Sequence, residues 1–534
     1  MIFRKGDKEN PENYRGIALV NTSTKLFTEI MRRRLEPWVE ANRLLPESQH
    51  GCWRGRSCTD AIFCLLSANH LQLRLPRREV HAVFVDFGRA LDSIPHEKLW
   101  LKLRDVGVSS KVINILRSLY SQASVRVRSG GLLSEAFQVT EGILQGETLS
   151  PLLFLLYCSD FENSFRERGH IGLNVEGYTD ILMQLFADDT VLLTDTHIRL
   201  RAILDTLSEY CSIKGLSVNT MKTKILTFKA AGRHKQINPR FTMFRGTALE
   251  VVSSYTYLGV LLSSSARSNI PIQAAIGRAR TASFNTLNLL YKSKCDKWDS
   301  FRRLFESLVT STLFYAIPAW GIGSLVEIEV IQTEFLKHLP RLPRNMPNWA
   351  VRLEAGVIKL ASKAMRLIWN WFIGVLMMDA TRHPRICMLR LIELSRNIDE
   401  TSAYNWVSSF RASLRSVDAE DLVDSLNPTV WIDRTDEVFT RYEMLLLQED
   451  FASYENSTSS QLTLPRSLRD TPAFYLRLRL PMALKRFIAQ LRLANNLFCT
   501  FTFKNGSSKI FPPNFAPTVH PSRSLTTNRS HISS

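Results

Sequence analysis

Hydrophobic residues recur at helical spacing in several parts of the chain. Over residues 24–39 the apolar side chains lie three and four positions apart, which predicts an amphipathic helix. A second helix is predicted over 151–168, because Ser150 suits an N-cap, Pro151 suits the first helical position and Gly169 suits the end. The same spacing predicts further helices over 200–211 and 301–313, and a mainly helical chain from about 265 to 495.

Strand-like runs cluster between residues 80 and 260. The apolar runs 181–186 and 190–193 are joined by Ala187-Asp188-Asp189, which predicts a hairpin. Further strands are predicted over 81–87, 224–229 and 255–260. The pattern therefore predicts an α+β body followed by a mainly helical body.

Positive charge is in large excess and is unevenly distributed. The chain has 68 Lys and Arg against 50 Asp and Glu, a net charge of +18, which favours nucleic acid or an acidic membrane surface as partner. Residues 471–534 carry nine basic residues and no acidic ones, whereas residues 399–455 carry thirteen acidic residues and four Arg. Two explanations remain open, a basic segment that meets phosphate or two ordinary solvated surfaces.

Hydropathy and cysteine spacing exclude several classes of protein. The longest nearly apolar run, residues 149–158, is too short to span a bilayer, so no membrane partner is expected. The cysteines form no C-x-x-C pair, which indicates neither a cysteine zinc site nor a disulfide framework. From about residue 506 the chain is rich in Ser, Thr, Pro and Asn, and disorder is predicted there.

Three aspartates stand where apolar strands are predicted to end. Asp86 follows Val83-Phe84-Val85, and Asp188 and Asp189 lie at the tip of the predicted hairpin. Turn chemistry alone explains such aspartates. If the three carboxylates converge, however, hard divalent cations would relieve their repulsion and would serve in-line phosphoryl displacement. In a basic chain, that arrangement indicates a nucleotidyltransferase or a nuclease.

Six motifs occur in a familiar order along the chain. They are Asn13-Tyr14-Arg15-Gly16-Ile17, Val85-Asp86-Phe87-Gly88-Arg89-Ala90-Leu91-Asp92, Gly142 to Pro151 with Gln145-Gly146, Phe186-Ala187-Asp188-Asp189, Gly215 to Asn219 with Lys222, and Tyr257-Leu258-Gly259. In this order and spacing the chain resembles the reverse transcriptase of non-LTR (LINE-type) retrotransposons. The resemblance is good over about residues 1–345 and less specific from there to about 500.

The resemblance implies an α+β, right-hand polymerase followed by a mainly helical C-terminal region. The expected parts are N-terminally truncated fingers at 1–80, a palm at 81–245, a thumb at 246–345, a helical C-terminal region at 346–505 and a disordered tail at 506–534. The implied activity is RNA-directed DNA synthesis, in which dNTPs are added to a primer 3′-hydroxyl with two divalent ions, Mg²⁺ or else Mn²⁺.

Roles of individual residues are likewise implied by the resemblance. Asp86, Asp188 and Asp189 match the catalytic, metal-binding carboxylates. The expected contacts to nucleotide or template come from Arg15, Leu91, Gln145, Gly146 and Lys222. Tyr257, Leu258 and Gly259 match the primer grip, although the aromatic ring also suits a core position.

The expected partners are an RNA template, a DNA primer and dNTPs, within an intracellular ribonucleoprotein in the nucleus or the cytoplasm. An endonuclease domain is expected to be absent from this chain. The sequence departs from the family where Leu91 replaces an aromatic residue and where Gly51-Cys52-Trp53 replaces Gly-Phe-Arg. These departures keep a second hypothesis open, a catalytically inactive, nucleic-acid-binding relic of such an element.

Overall fold

The computed structural model divides the chain into two compact units. Unit 1 comprises residues 1–267 and 378–408, and unit 2 comprises residues 268–377 and 409–534. The structure describes residues 14–129, 131–230, 237–265, 269–396, 404–457 and 472–493, together with short pieces at 2–3, 7, 9, 499–502, 508–511 and 526–532.

The regular elements are as follows. The strands are β1 (Ile2–Phe3), β2 (Tyr14–Arg15), β3 (Glu79–Val85), β4 (Ser124–Val125), β5 (Arg128–Ser129), β6 (Leu132–Leu133), β7 (Phe137–Gln138), β8 (Leu173–Val175), β9 (Thr179–Ile181), β10 (Met183–Phe186), β11 (Asp189–Thr194), β12 (Lys224–Lys229), β13 (Met243–Phe244), β14 (Thr247–Ala248), β15 (Glu250–Val252), β16 (Ser254–Tyr257), β17 (Val260–Ser263), β18 (Cys499–Thr502), β19 (Ser508–Phe511) and β20 (Thr526–Ile532). The helices are α1 (Thr22–Ala41), α2 (Cys58–Leu73), α3 (His96–Asp105), α4 (Ser110–Ser121), α5 (Ser150–Tyr157), α6 (Phe161–Arg166), α7 (His197–Lys214), α8 (Asn269–Lys292), α9 (Trp298–Leu304), α10 (Ser311–Leu313), α11 (Ile317–Trp320), α12 (Glu329–His338), α13 (Asn348–Ala355), α14 (Leu360–Leu376), α15 (His383–Ser395), α16 (Trp406–Arg415), α17 (Pro428–Glu455), α18 (Phe474–Arg477) and α19 (Met482–Arg492).

A five-stranded sheet in the order β10-β11-β3-β12-β15 forms the centre of unit 1. Strand β3 pairs antiparallel with β11 on one edge and with β12 on the other, and only β12 and β15 pair in parallel. Residues Val80–Val85 are buried, which fits their β-branched and aromatic composition. The sheet confirms the α+β architecture predicted for the first part of the chain.

Helix α2 is the most deeply buried helix against this sheet. Its N-terminus has a capping box, in which the Ser57 side chain accepts from the Asp60 N–H and the Asp60 carboxylate accepts from the Ser57 N–H. Helix α15, although late in sequence, belongs to unit 1 and contacts α2. Arg390 of α15 forms an ion pair there with Glu176.

Two sequence predictions of elements are wrong in detail. The helix predicted over 151–168 is divided into α5 and α6 by a turn at residues 158–160. The single strand predicted over 255–260 is instead the hairpin β16–β17, because Leu258 (φ +43°) and Gly259 (φ +80°) both adopt left-handed conformations that reverse the chain. The helices predicted over 24–39 and 200–211 are confirmed as parts of α1 and α7.

Unit 2 is helical where the structure describes residues 269–377, 409–457 and 472–493, and aromatic side chains fill its core. Trp431 of α17 packs against Trp369 and Phe372 of α14, with ring centroids 4.6 and 4.5 Å apart. The Trp369 Nε1–H donates to Thr435 Oγ1 at 2.9 Å, so its polar atom is satisfied. The mainly helical region predicted for this part of the chain is confirmed.

The basic segment after residue 471 serves partly to hold unit 2 together. The Lys485 ammonium is buried and donates to the carbonyls of Asp296 and Leu476. Arg486 donates to the Leu339 carbonyl, and Arg492 forms an ion pair with Glu354. These three cations are therefore engaged within the protein, which reduces the charge available for phosphate.

The domain boundaries drawn from the sequence do not coincide with the two units. The predicted helical region 346–505 contains residues 378–408, which belong to unit 1. Within the predicted disordered tail 506–534, β19 and β20 both pair with β18, and the remaining residues of that tail lie outside the described parts. The Ser/Thr/Pro-rich composition concealed these short runs of β-branched and aromatic residues. No helix among the described residues combines the length and the apolarity that a membrane span requires.

A buried ion pair in unit 2 provides a test of this packing. Arg352 and Asp450 are both buried and make two hydrogen bonds, at 2.7 and 2.5 Å. Asp450→Asn leaves the guanidinium buried without its counter-charge, so we expect a loss of about 3–5 kcal/mol in the free energy of unfolding, measured by denaturant titration.

The exposed pair Arg280–Glu334 is the matched control, since it is also bidentate but half-exposed. Glu334→Gln should cost about 1 kcal/mol or less. Equal losses in the two variants would show that burial does not set the strength of the Arg352–Asp450 interaction.

Candidate active site

The three predicted catalytic aspartates lie at one end of the central sheet. Val85, the last residue of β3, is opposite Thr190 of β11, which places Asp86 and Asp189 at the next position of the two strands. Asp188 follows in the two-residue turn of the β10–β11 hairpin, where Ala187 has φ +55°. The sheet register, together with the turn, therefore brings these three aspartates to the same end of the sheet.

Two of the aspartates, Asp189 and Asp86, act on one neighbouring phenol. Burial, and then the charges of Asp189 and Asp86, raise the pKa of the Tyr255 phenol. The Tyr255 ring stacks on Phe84 of β3 at 4.2 Å, next to the strand end. The carboxylate oxygens of the three aspartates do not, however, all lie within 4.8 Å of one another. Among the described residues, one other cluster of potential metal ligands is that compact.

A loop after α7 supports the Asp86 backbone. The Asp86 N–H donates to Thr223 Oγ1 (3.1 Å), and its carbonyl accepts from the Asn219 N–H (2.8 Å). The predicted site residue Lys222 lies on this loop, with its half-exposed Nζ 3.7 Å from Asp86 Oδ2. Gly88, two residues after Asp86, is hydrogen-bonded to Ser217 through both its N–H and its carbonyl.

The hairpin turn that carries Asp188 is held by a glutamine that sequence analysis did not identify. Gln49 is buried, and its Oε1 accepts from the backbone N–H groups of Ala187 (3.0 Å) and Gly51 (2.8 Å). Backbone hydrogen bonds also join Leu185 to Ser48 and His50. A Cβ at Gly51 would lie 2.3 Å from the Ala187 nitrogen, so only glycine fits against this turn.

The Gln145-Gly146 turn lies against the N-terminal segment. The Ala18 N–H donates to the Gln145 carbonyl at 2.7 Å. Gly146 has φ +104°, and a Cβ there would lie 2.8 Å from the Ala18 oxygen. The close backbone approach predicted for this glycine is therefore made to the chain itself. Glu147 then accepts from Leu149 N–H, Ser150 N–H and Ser150 Oγ and caps α5, a role that the sequence had assigned to Ser150.

A cleft of about 770 Å³ opens beside this turn. Gln145, the N-terminal segment from Gly16, and the cations Arg126 and Arg128 line it. Of the predicted site residues, Gln145 alone lines this cleft, and the three aspartates lie outside it. Arg15 is on β2, where it pairs with Ile2 of β1.

Leu91 is half-buried and packs against the core of unit 1, as does Phe87. Its carbonyl accepts from the Ile143 N–H at 2.8 Å, which attaches the Asp86 loop to the segment before Gln145. The side chain therefore has a packing role, and its predicted place beneath a nucleotide sugar stays a prediction.

The predicted primer grip is divided between core and surface. Tyr257 is buried, and its ring lies 5.5 Å from that of Phe84. Burial, and then the charge of Asp189, raise the pKa of its phenol. The half-buried Leu258 and the exposed Gly259 form the β16–β17 turn. The aromatic residue thus belongs to the core, which leaves the turn itself as the candidate contact surface.

Comparison with known proteins identifies a family model and several relatives that are similar to parts of this chain. Residues 4–262 match the family model described as "Reverse transcriptase (RNA-dependent DNA polymerase)". The R2 Pol polyprotein of Popillia japonica is 27% identical over 43% of this chain and 32% of its own length. The polymerase of transposon BS of Drosophila melanogaster is 25% identical over 64% of this chain and 38% of its own length.

A mobile element jockey polymerase from Drosophila funebris is 25% identical over 68% of this chain and 39% of its own length. The chain thus spans about a third to two fifths of the length of these relatives. Among solved structures, the telomerase of Candida Tropicalis with a TWJ fragment of telomeric RNA is 13% identical, with a TM-score of 0.33, over 69% of this chain and 56% of its own.

The contact between Gln49 and the hairpin turn gives a testable prediction. Gln49→Met keeps the side-chain length but leaves the Ala187 and Gly51 N–H groups without their acceptor, at a cost of about 1–3 kcal/mol for a buried donor. We expect faster hydrogen exchange at both amides, measured by NMR or mass spectrometry.

The control is Gln122→Met, because Gln122 is exposed and donates only to the Ser118 hydroxyl. It should leave exchange at Ala187 and Gly51 unchanged. Unaltered exchange in Gln49→Met would mean that the backbone hydrogen bonds of Leu185 suffice to hold the turn.

Proposed function

We propose that this chain is the reverse transcriptase portion of a non-LTR retrotransposon, because residues 4–262 match the reverse transcriptase family model and the relatives include a Pol polyprotein of retrotransposable element R2 and the RNA-directed DNA polymerases of transposon BS and mobile element jockey. The reaction is the addition of dNTPs to a primer 3′-hydroxyl on an RNA template. The observation that carries the proposal is the shared strand end at which β3 and the β10–β11 hairpin present Asp86, Asp188 and Asp189.

The side chains at this end of the sheet are suitable ligands for hard divalent cations. All three predicted ligands are carboxylates, and Asp86 and Asp189 together raise the pKa of Tyr255, so negative charge is concentrated there. Asp86 and Asp188 would hold the ions most directly, with Asp189 beside them, and Mg²⁺ or Mn²⁺ is the ion proposed. Bound there, such ions lower the pKa of an attacking hydroxyl and neutralise the charge of the leaving phosphates.

The protein's own groups would position the substrates. Lys222 lies 3.7 Å from Asp86 and is half-exposed, so its ammonium can turn to a triphosphate oxygen. The Gln145-Gly146 turn borders a cleft with two arginines, which suits a nucleic acid backbone. By the family resemblance, Arg15 stays a predicted contact to the triphosphate, because an arginine fork matches phosphate bidentately.

The proposed partners are an RNA template and a DNA primer, with dNTPs as substrate. A net charge of +18 supports a polyanionic partner. The proposed setting is a ribonucleoprotein with the element's own transcript in the nucleus or the cytoplasm.

Primer extension on an RNA template with Mg²⁺ tests the proposal. Asp188→Asn removes one carboxylate charge, so we expect extension to fall by at least about a hundredfold, the lower end of what one electrostatic catalytic group contributes. RNA binding, measured by fluorescence anisotropy, should stay within about twofold of the wild type.

Asp205→Asn is the matched control, because Asp205 is an exposed aspartate of α7 that pairs with Arg201. It should extend primers as the wild type does. RNA binding without extension in the wild-type chain would support the alternative of an inactive relic. Equal extension in wild type and Asp188→Asn would exclude the proposed carboxylate site.

The choice between dNTP and rNTP tests the predicted role of Leu91. By the family resemblance, an aromatic ring at this position excludes the 2′-hydroxyl, and Leu leaves space there. Leu91→Phe should therefore increase discrimination against rNTPs by about 10- to 200-fold, measured as relative kcat/KM.

Phe87→Leu provides the complementary variant, since Phe87 also packs against the core beside this loop. If Phe87→Leu relaxes sugar selectivity and Leu91→Phe changes nothing, the gate is Phe87.

A further inference from the structure

A second cluster of potential metal ligands lies at the opposite end of β3 from Asp86. Glu79 and His81 are two residues apart on this strand and therefore share one face of the sheet. His197, the first residue of α7, meets them there. Within the described residues, these three form the one group of His, Cys, Asp or Glu side chains whose ligand atoms all lie within 4.8 Å of one another.

Two of the three separations between the ligand atoms are close to those of tetrahedral coordination. Glu79 Oε1 lies 3.7 Å from His81 Nε2 and 3.5 Å from His197 Nε2. Ligand atoms about 2.0–2.2 Å from one tetrahedral zinc ion are roughly 3.3–3.6 Å apart. The two histidines contribute ligand atoms within 4.8 Å of each other, so an ion would draw the three side chains together.

The buried histidine is already oriented as a ligand. His81 is fully buried, and its Nδ1 lies 3.0 Å from Thr227 Oγ1, whereas its Nε2 has no hydrogen-bond partner. When the Nδ1–H donates to this hydroxyl, the Nε2 lone pair is free for a metal ion. Burial, and then the charge of His197, lower the pKa of His81 to about 4, so the ring is neutral at pH 7.

An ordinary ion-pair cluster explains only part of this arrangement. The Lys229 Nζ lies 2.5 Å from Glu79 Oε2, so that oxygen is already paired, and it is Oε1 that faces the histidines. At 3.7 Å, Oε1 is too far away to accept a hydrogen bond from His81. A buried polar atom without a partner is costly, and a metal ion at this position would satisfy it.

We propose that Glu79, His81 and His197 bind a Zn²⁺ ion that joins the start of β3 to the start of α7. Two imidazoles and one carboxylate form a typical zinc ligand set. Glu79 and His197 are partly exposed, with 27% and 38% of the side chain accessible, which leaves room for water as the fourth ligand. The site is separate from the aspartates, since β3 extends roughly 20 Å between Glu79 and Asp86.

Zinc content and thermal stability of the full chain test the proposal. The protein is first treated with a chelator and then incubated with Zn²⁺ in the presence of excess Mg²⁺. The Mg²⁺ occupies sites made of carboxylates alone. The protein is then desalted and its metal content is measured. We expect one zinc ion per chain and a rise in Tm of roughly 5 °C at a hundredfold excess of Zn²⁺ over its dissociation constant. Co²⁺ in place of Zn²⁺ should give the visible absorption of a tetrahedral site.

His197→Gln and Glu79→Gln should each lose the bound zinc, the Tm shift and the Co²⁺ spectrum. His170→Gln is the matched control, because His170 is also partly buried and lies 2.7 Å from Thr206 of the same helix, yet has no place in the cluster. It should behave as the wild type does. Circular dichroism checks that each variant is folded.

A wild-type chain that retains no zinc would overturn the proposal. Zinc bound equally by the wild type and by His197→Gln would do so as well, since the ion would then be held elsewhere, for example by cysteines.

Discussion

The hydrogen bonding of β3 along both of its edges is the constraint on which the rest of unit 1 depends. Because β11 and β12 flank it, β3 cannot shift by one residue without turning its buried side chains to the opposite face. This fixed register places Asp86 beside Asp189 at one end of the strand. At the other end it places His81 opposite Thr227 and Glu79 opposite Lys229. Both candidate metal sites therefore depend on the register of this one strand, the first through β11 and the second through β12.

Different residues hold the different backbone segments that carry the aspartates. Thr223 and Asn219 hold the Asp86 backbone from one side, and Gln49 holds the Ala187 turn from another. All of these contacts end on backbone atoms of Asp86 and Ala187, so the backbone fixes the position of the strand end and of the hairpin turn.

Short sequence patterns predicted those parts of the site that lie within a single strand or turn. An apolar run followed by Asp86, and a turn that contains Asp188 between two apolar runs, were enough to find the strand ends. Tyr257 was placed in a single strand because hydrophobic spacing does not register the positive φ of Leu258. Gln49 and the Glu79–His81–His197 cluster could not be found in this way, because their partners are more than a hundred residues distant in sequence. Such contacts depend on tertiary packing, which no local periodicity encodes.

The discontinuity of unit 1 has a consequence for the order in which the protein is made. Residues 378–408 complete this unit, but the 110 residues 268–377 are translated before them. At about 5–20 residues per second, the incomplete unit 1 waits on the order of ten seconds for helix α15. During that time the surface of α2 that α15 will cover is exposed, and α8 to α14 can begin to fold. Unit 1 must therefore stay soluble while it is incomplete. The nascent chain is most vulnerable to aggregation and to capture by chaperones while residues 268–408 are being translated.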